Sequence, residues 1–534
     1  YFYQIVSALP VKGVILQKVT PKRIQSLSYL RLLACLPSLL TVSMASAASL
    51  QGIDQIQTVV VLYDENRSFD SLYGNFPGAE GLSQAPASAM QQRDRDGSVL
   101  KELPPVWGGL TARGVTPAVT QDMSAHLPNA PFSVDTKEGF DVGLNERTRD
   151  LWHRFYQNQM QINHGKNDGF VAWGNSGAMT MAHWNGAEMG MWKIAHKYTL
   201  ADHFFMGAFG GSFMNHQWFI CACVPIYPNA DKSPAKDLIV EATPDGKALV
   251  VTKGVSKSAM DGPPIFAHDG NLTPDFYAVN TMEPPYQPSE NAPAAGGDPR
   301  FANPDDPTTL PPQTQTTIGD LLSKKGVSWA WYAGAWDYVL KHGNNFPVPT
   351  FQMHHQPFNY YANYAPGTEA RAQHLLDGGL NGKKFIEDID SGRLPSVAFY
   401  KPQGNLNEHS GYADIKSGDE HIVNVIEHLE KSPQWPHMLV IVTYDENGGL
   451  WDHVAPPQGD RWGPGSRIPA VIISPFAKKG FVDHSFYDTT SILRFITRRF
   501  ELPVLDGIRN RDEALKKNGS PAAGDLTAAL DLGK

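Results

Sequence analysis

Five short runs of apolar and β-branched residues, at 57–63, 327–332, 396–400, 438–444 and 470–474, punctuate the chain, each followed by polar or turn residues. Runs of this length, rich in Val, Ile and Tyr, predict strands buried on both faces. Segments 318–324, 421–431 and 489–500 between and after them carry a helical spacing of apolar positions. Alternation of this kind predicts an α/β fold, a doubly wound core with a mostly parallel central sheet flanked by helices. The pattern fails over 261–312, where Pro263, Pro264, Pro284, Pro285, Pro288 and further prolines up to Pro312 predict a long irregular insertion over the surface. Such a segment either shapes a substrate mouth or serves as a structural loop.

The ends of two predicted strands carry acidic motifs. Tyr63-Asp64-Glu65-Asn66-Arg67-Ser68-Phe69 follows the first run, and Thr443-Tyr444-Asp445-Glu446-Asn447-Gly448-Gly449 closes the fourth. Open α/β sheets bind ligands beyond the carboxyl ends of their strands. Carboxylate and carbonyl oxygens suit a divalent cation, and Glu65, Asn66, Asp445 and Glu446 supply them. Gly210-Gly211-Ser212-Phe213 contributes a hydroxyl that such an ion would activate as a nucleophile, itself entering the coordination sphere. Adjacent residues on a regular strand point to opposite faces, so Glu65 with Asn66, and Asp445 with Glu446, can share one ion only where the strand has ended. The two glycines before Ser212 predict a tight turn into a helix whose first N–H groups would face a phosphate. Arg67, Ser68 and Phe69 read as residues that cap and pack a helix, and Asp452 and His453 as either a second metal position or support for the first.

Glu-Asn-Arg-Ser-Phe-Asp at 65–70, Gly-Gly-Ser-Phe-x-Asn-His at 210–216 and Tyr-Asp-Glu-Asn-Gly-Gly-x-x-Asp-His-Val at 444–454 stand in an order that resembles the bacterial phospholipase C and acid phosphatase family of the alkaline phosphatase superfamily. The resemblance extends from about residue 53 to about 505 and implies an alkaline phosphatase-like core. It implies one divalent ion (Ca, Mg, Mn or Zn) and a phosphoserine intermediate on Ser212. It further implies that His164, His354, His355 and His409 surround the phosphoryl group, with Asn66 donating to one of its oxygens and one histidine as leaving-group acid. The phospholipase C branch usually places Thr where this chain has Ser212, and the adjacent His354 and His355 look like the acid phosphatase branch. Phosphomonoester hydrolysis is therefore the first expectation, phospholipase C-like diester cleavage of phospholipids the second, and a non-catalytic exported binding protein the third. A histidine acid with a pKa near 6.5 would give an acidic optimum.

Lys22, Arg23 and Arg31 precede an apolar stretch at 32–42 and the small residues Ala45-Ser46-Ala47, a pattern that predicts an export signal over 1–47 and a periplasmic or secreted protein. The apolar stretch is too short for the ~20 residues of a stable membrane span. Removal of that segment would lower the formal charge from −9 to about −14. So acidic a chain has no electrostatic footprint for nucleic acid or anionic membrane, and small phosphoesters or phospholipid must be recognised locally. The catalytic domain is expected over 48–515, with 516–534 as a loosely ordered tail. Cys221 and Cys223 stand so close in sequence that two separate buried thiols are expected rather than a bridge.

Overall fold

The computed structural model describes residues 52–344 and 348–533; the segment read as an export signal lies outside the described residues. Eight strands form the central sheet: β1 (Thr58–Asp64), β2 (Thr199–Ala201), β3 (Trp329–Gly334), β4 (Leu375–Gly379), β5 (Val397–Lys401), β6 (Met438–Tyr444), β7 (Ala470–Ile473) and β8 (Phe481–Asp483). Their spatial order is β8-β2-β7-β6-β1-β5-β3-β4. All pair in parallel except β7, which runs antiparallel to both neighbours. The five expected strands, β1, β3, β5, β6 and β7, all lie inside the sheet, and every residue of each is buried. That complete burial is why they read as unbroken apolar runs instead of alternating ones. The unexpected strands, β2 inside the sheet and β4 and β8 at its edges, have only three to five residues and carry no long apolar run.

Strand register positions the site. β1 and β6 pair from Thr58 with Met438 to Asp64 with Tyr444, so both strands end at the same level and the two acidic motifs emerge side by side. On the other flank β5 aligns Tyr400 with Leu62, which brings Lys401 beneath the same rim.

Helices occupy the intervals. α1 (Phe69–Tyr73) is capped by the Ser68 hydroxyl, which accepts from Ser71 N–H at 3.2 Å, as the motif predicts. α2 (Phe155–Ile162) precedes α3 (Ser212–Cys221), which is buried along its whole length. α4 (Ile318–Lys325) opens with a capping box of Thr317 and Asp320. α5 (Ile415–Lys431) starts earlier than its apolar pattern, because Asp414 caps it and Ser417-Gly418-Asp419-Glu420 hides the first turns. α6 (Thr489–Arg499) and α7 (Asp506–Lys517) follow β8 in the chain.

Two expectations are corrected. Cys221 and Cys223 form a disulfide at the end of α3: Ala222 adopts left-handed backbone angles (φ 48°, ψ 39°), folding the chain so that the two Cα atoms lie 5.1 Å apart. The described part of the expected tail, 516–533, returns to the core instead of trailing from it. Leu526 and Ala529 are fully buried, and Asp531 N–H donates to Phe476 O at 2.7 Å. Among the described residues no helix is long and apolar enough to cross a membrane.

Candidate active site

Both acidic pairs sit just past their strands, where the backbone departs from extended geometry. Asn66 is left-handed (φ 63°), as are Gly448 (φ 62°) and Gly449 (φ 73°). A Cβ on Gly448 would collide with the Asn66 carbonyl, so only glycine lets the two loops approach this closely. One carboxylate oxygen joins them: Asp445 Oδ1 accepts from Asn66 N–H at 3.1 Å and from Glu446 N–H at 2.7 Å. Arg67 adds a second tie, its N–H donating to Glu446 O and its guanidinium to Ser410 Oγ and Glu408 O.

Glu65 lies at the centre and is fully buried. Its Oε1 is 2.9 Å from Lys401 Nζ and 2.5 Å from His355 Nε2. Its Oε2 accepts from the Tyr412 hydroxyl at 3.1 Å and lies 3.7 Å from His409 Nε2. Burial alone would push Glu65 up, but the charge of Lys401, followed by the close contact with His355, holds it well below the usual carboxylate range. The other carboxylates have no such partner. Burial, then the charge of Glu65, lifts Asp445 to about 7 against the pull of Lys401. Burial and the neighbouring Asp445 push Glu446 well up.

These observations test the fit of a cation. Asp445 Oδ2 and Glu446 Oε1 are buried without a hydrogen-bond partner among the described residues, a costly state for carboxylate oxygens. Ligand atoms of Glu65, His216 and Asp445 lie within 4.8 Å of one another, as do those of Glu65, His354 and His355. A divalent ion fits this excess of buried negative charge, and the imidazoles set nitrogen donors beside the oxygens.

Ser212 opens α3 at the wall of a cavity of about 380 Å³ that is lined also by His153, Asn280, His354, His409 and Tyr412. Its hydroxyl donates to Asn66 Oδ1 at 3.3 Å, while Asn66 Nδ2 is buried without a partner among the described residues and so retains a donor. One turn along the helix, His216 Nδ1 lies 2.8 Å from Ser212 O and 3.7 Å from Asp445 Oδ2. Burial shifts His354, His409 and His216 below the ordinary histidine value and His355 to about 4, so these four are neutral at pH 7. Val279, Asn280 and Thr281 of the proline-rich insertion line the cavity.

The structure brings Glu65, Asn66, Ser212, His354, His355, His409, Asp445 and Glu446 together, and His164 stands apart from them. It is exposed in a left-handed turn (φ 57°) just after α2 and does not line the cavity. The flanking Asn163, Lys166 and Asp168 resemble a ligand motif, but the turn at Asn163 and His164 ends the helix and faces the histidine to solvent. His153, at the opposite end of α2, lines the cavity instead. Its Nδ1 lies 2.6 Å from Leu151 O, which leaves Nε2 for a substrate, and its ring meets that of His409 at 5.5 Å. Lys401, Tyr412, His216 and Asn280 were also not foreseen. Two of them left a trace in the sequence: His216 closes the Gly-Gly-Ser-Phe-x-Asn-His motif, and Lys401 is a cation closing an apolar strand. Asp452 and His453 meet beside Asp70: the buried Arg467 guanidinium binds Asp452 at 3.0 Å and Asp70 at 2.9 Å, and His453 Nδ1 lies 2.6 Å from Asp70 Oδ2.

The Phosphoesterase family model matches residues 56–503 of the chain. Phospholipase C B of Mycobacterium tuberculosis is 23% identical over 517 residues, 90% of this chain and 78% of that protein. Hemolytic phospholipase C of Pseudomonas aeruginosa is 25% identical over 528 residues, 90% of this chain and 56% of that protein. A non-hemolytic phospholipase C of Burkholderia pseudomallei is 28% identical over 267 residues, where the match spans 36% of the relative's length. A solved structure in the alkaline phosphatase superfamily from Vibrio parahaemolyticus superposes over 64% of each chain with a TM-score of 0.28 and 9% identity.

Proposed function

The chain belongs to the Phosphoesterase family, and from that premise we propose that it is a hydrolase that cleaves phosphoester bonds by attack of Ser212, with phospholipid phosphodiesters as its substrate class. The observation that carries this reading is the Ser212 hydroxyl, 3.3 Å from Asn66 Oδ1 in a cavity backed by the buried carboxylates Glu65, Asp445 and Glu446. The relatives reverse the order in which the motifs alone rank the two chemistries. Those that align over nine-tenths of the chain bear the name phospholipase C.

Glu65, Asn66, Ser212, Asp445 and Glu446 would hold a divalent ion, with His216 and His355 adjacent. Such an ion, when bound, lowers the pKa of a hydroxyl and neutralises phosphoryl charge. The protein supplies the rest. Asn66 Nδ2 donates to a nonbridging oxygen, and the N–H groups of the first turn of α3, with no carbonyl to bind within the helix, face the same charge. Ser212 Oγ forms a bond to phosphorus while the bond to the leaving alcohol breaks, and the serine proton passes to Asp445. His153, the partly exposed imidazole of the cavity, protonates the leaving oxygen, and as a neutral base it then activates the water that hydrolyses the phosphoserine. His354 and His409, held neutral by burial, orient the phosphoryl group. His153→Ala should slow turnover of substrates with poor leaving groups most, and an unchanged rate would remove it from that role.

A second reading, phosphomonoester hydrolysis, rests on Ser212 itself and on the adjacent His354 and His355, the setting that looks like the acid phosphatase branch. The deciding experiment measures release of diacylglycerol from phosphatidylcholine and of nitrophenol from its phosphate, pH 5 to 8, with wild type and Ser212→Ala. Diacylglycerol release that the mutation abolishes supports the first reading; monoester turnover alone supports the second. Turnover that survives the mutation rejects both. Export belongs to the same proposal, because the Cys221–Cys223 disulfide suits an oxidising compartment.

A further inference from the structure

On the far side of the sheet from β1, parallel pairing sets Asp483 of β8 opposite Ala201 of β2. The residues that follow are therefore neighbours: Asp202 and His203 after β2, His484 after β8. His484 Nδ1 lies 2.8 Å from Asp202 Oδ2 and His203 Nδ1 lies 2.8 Å from Asp202 Oδ1. Glu80, from the turn beyond α1, completes the group. Its N–H donates to Asp202 Oδ2 at 2.8 Å and its Oε2 sits 3.0 Å from His203 Nε2. Asp202 is fully buried, whereas the His484 side chain is 61% exposed, so the group is rigid at its base and open to solvent.

We propose that Asp202, His203 and His484 bind a divalent ion of the zinc class, separate from the active site. Three observations lead there. One carboxylate oxygen and two imidazole nitrogens, all within 4.8 Å of one another, match the N and O donors that zinc takes with three protein ligands and an open position. Both nitrogens of His203 face carboxylate oxygens, yet a neutral imidazole carries one N–H. A cation on the Nδ1 side resolves the conflict and leaves Nε2–H to donate to Glu80. That is the arrangement in which a carboxylate behind a ligating histidine fixes its tautomer. Third, the backbone is braced independently of any ion: Arg467 donates to Glu80 O at 2.7 Å and to Asp202 O at 2.9 Å. The neighbouring Asp70–Asp452–His453 group fails the same test, because Arg467 already occupies it.

The ion would join the edge strand β8 and the turn at Glu80 to the end of β2. The test loads the full chain with Zn²⁺, dialyses it and counts bound metal by mass spectrometry for wild type, His484→Ala, Glu80→Gln and Asp445→Asn. Wild type should retain one ion more than His484→Ala, which should keep wild-type phosphoesterase activity. Glu80→Gln should weaken that ion about 10- to 100-fold, as loss of an orienting carboxylate does. Equal counts in wild type and His484→Ala overturn the proposal, with His203→Ala as the confirming variant. Asp445→Asn reports separately on the active-site ion, so failure of one site is distinguishable from failure of the other.

Discussion

Replacing Lys401 with Met keeps the volume of a fully buried side chain and removes its charge. Lys401 Nζ stands 2.9 Å from Glu65 Oε1 and 3.3 Å from Asp64 O, with the Tyr63 ring 5.4 Å away. At an effective dielectric constant of about 20, two unit charges at that first distance attract by about 6 kcal/mol. Desolvation offsets much of this, and breaking a buried pair from one side costs about 3–5 kcal/mol in net stability. Glu65 would then take up a proton, because burial and the charge of Asp445 press it in that direction. The assay is urea unfolding followed by circular dichroism, first in chelator and then with excess divalent ion. In chelator Lys401→Met should lose about 3–5 kcal/mol. Added ion should restore part of the loss, since it supplies positive charge to the same carboxylate. A variant within about 1 kcal/mol of wild type in chelator would refute Lys401 as the group that holds Glu65 ionised. A full loss that no ion relieves would refute Glu65 as a metal ligand.

Arg467→Met should cost about 3–5 kcal/mol, read as a fall in Tm, because Asp452 would lose its buried counter-charge and Asp70 would keep only His453; a cost under about 1 kcal/mol would contradict that pairing. His421 is buried against the Tyr400 hydroxyl at 2.8 Å, and burial lowers it to about 4. The unfolded chain, with an ordinary histidine near 6.5, binds more protons between those two values, so stability falls as pH drops through that window, by about 3 kcal/mol in all. His421→Gln should flatten this part of the pH–stability curve, and an unchanged slope would contradict the assignment. Ser212→Ala should lower turnover by at least about 10³-fold, the scale of removing a nucleophile that acts with its neighbours as a unit.

The interior of the sheet was legible because strands buried on both faces need no polar alternation: Val59 to Leu62 and Leu439 to Val442 could hardly be anything else. Short strands such as β2 were not, since three residues hold no period. The acidic motifs were legible for a related reason, as Glu65-Asn66 and Asp445-Glu446 each follow a recognisable strand end. Residues that reach the site through tertiary packing left little signal. His153 enters from the loop before α2, Tyr412 from the loop before α5 and Asn280 from the insertion. The family resemblance pointed to His164 after the end of α2, whereas His153, which precedes the start of that helix, lay in no recognised motif. The Cys221–Cys223 bridge was missed for a local cause, the left-handed turn at Ala222.

The ladder between β1 and β6 has a consequence in time. Asp445 accepts the Asn66 N–H across 379 residues of chain, so at ribosomal rates of about 5–20 residues per second the second half of the site follows the first by about 20–75 s. Until β5 and then β6 are made, which takes most of that interval, β1 has neither of its partners in the finished sheet, and an unpaired strand of Val and Leu is an open template for association. Without Asp445 and Glu446 the nascent chain carries no assembled cluster of carboxylates, so the site comes into being only when the last third of the chain has joined the first strand.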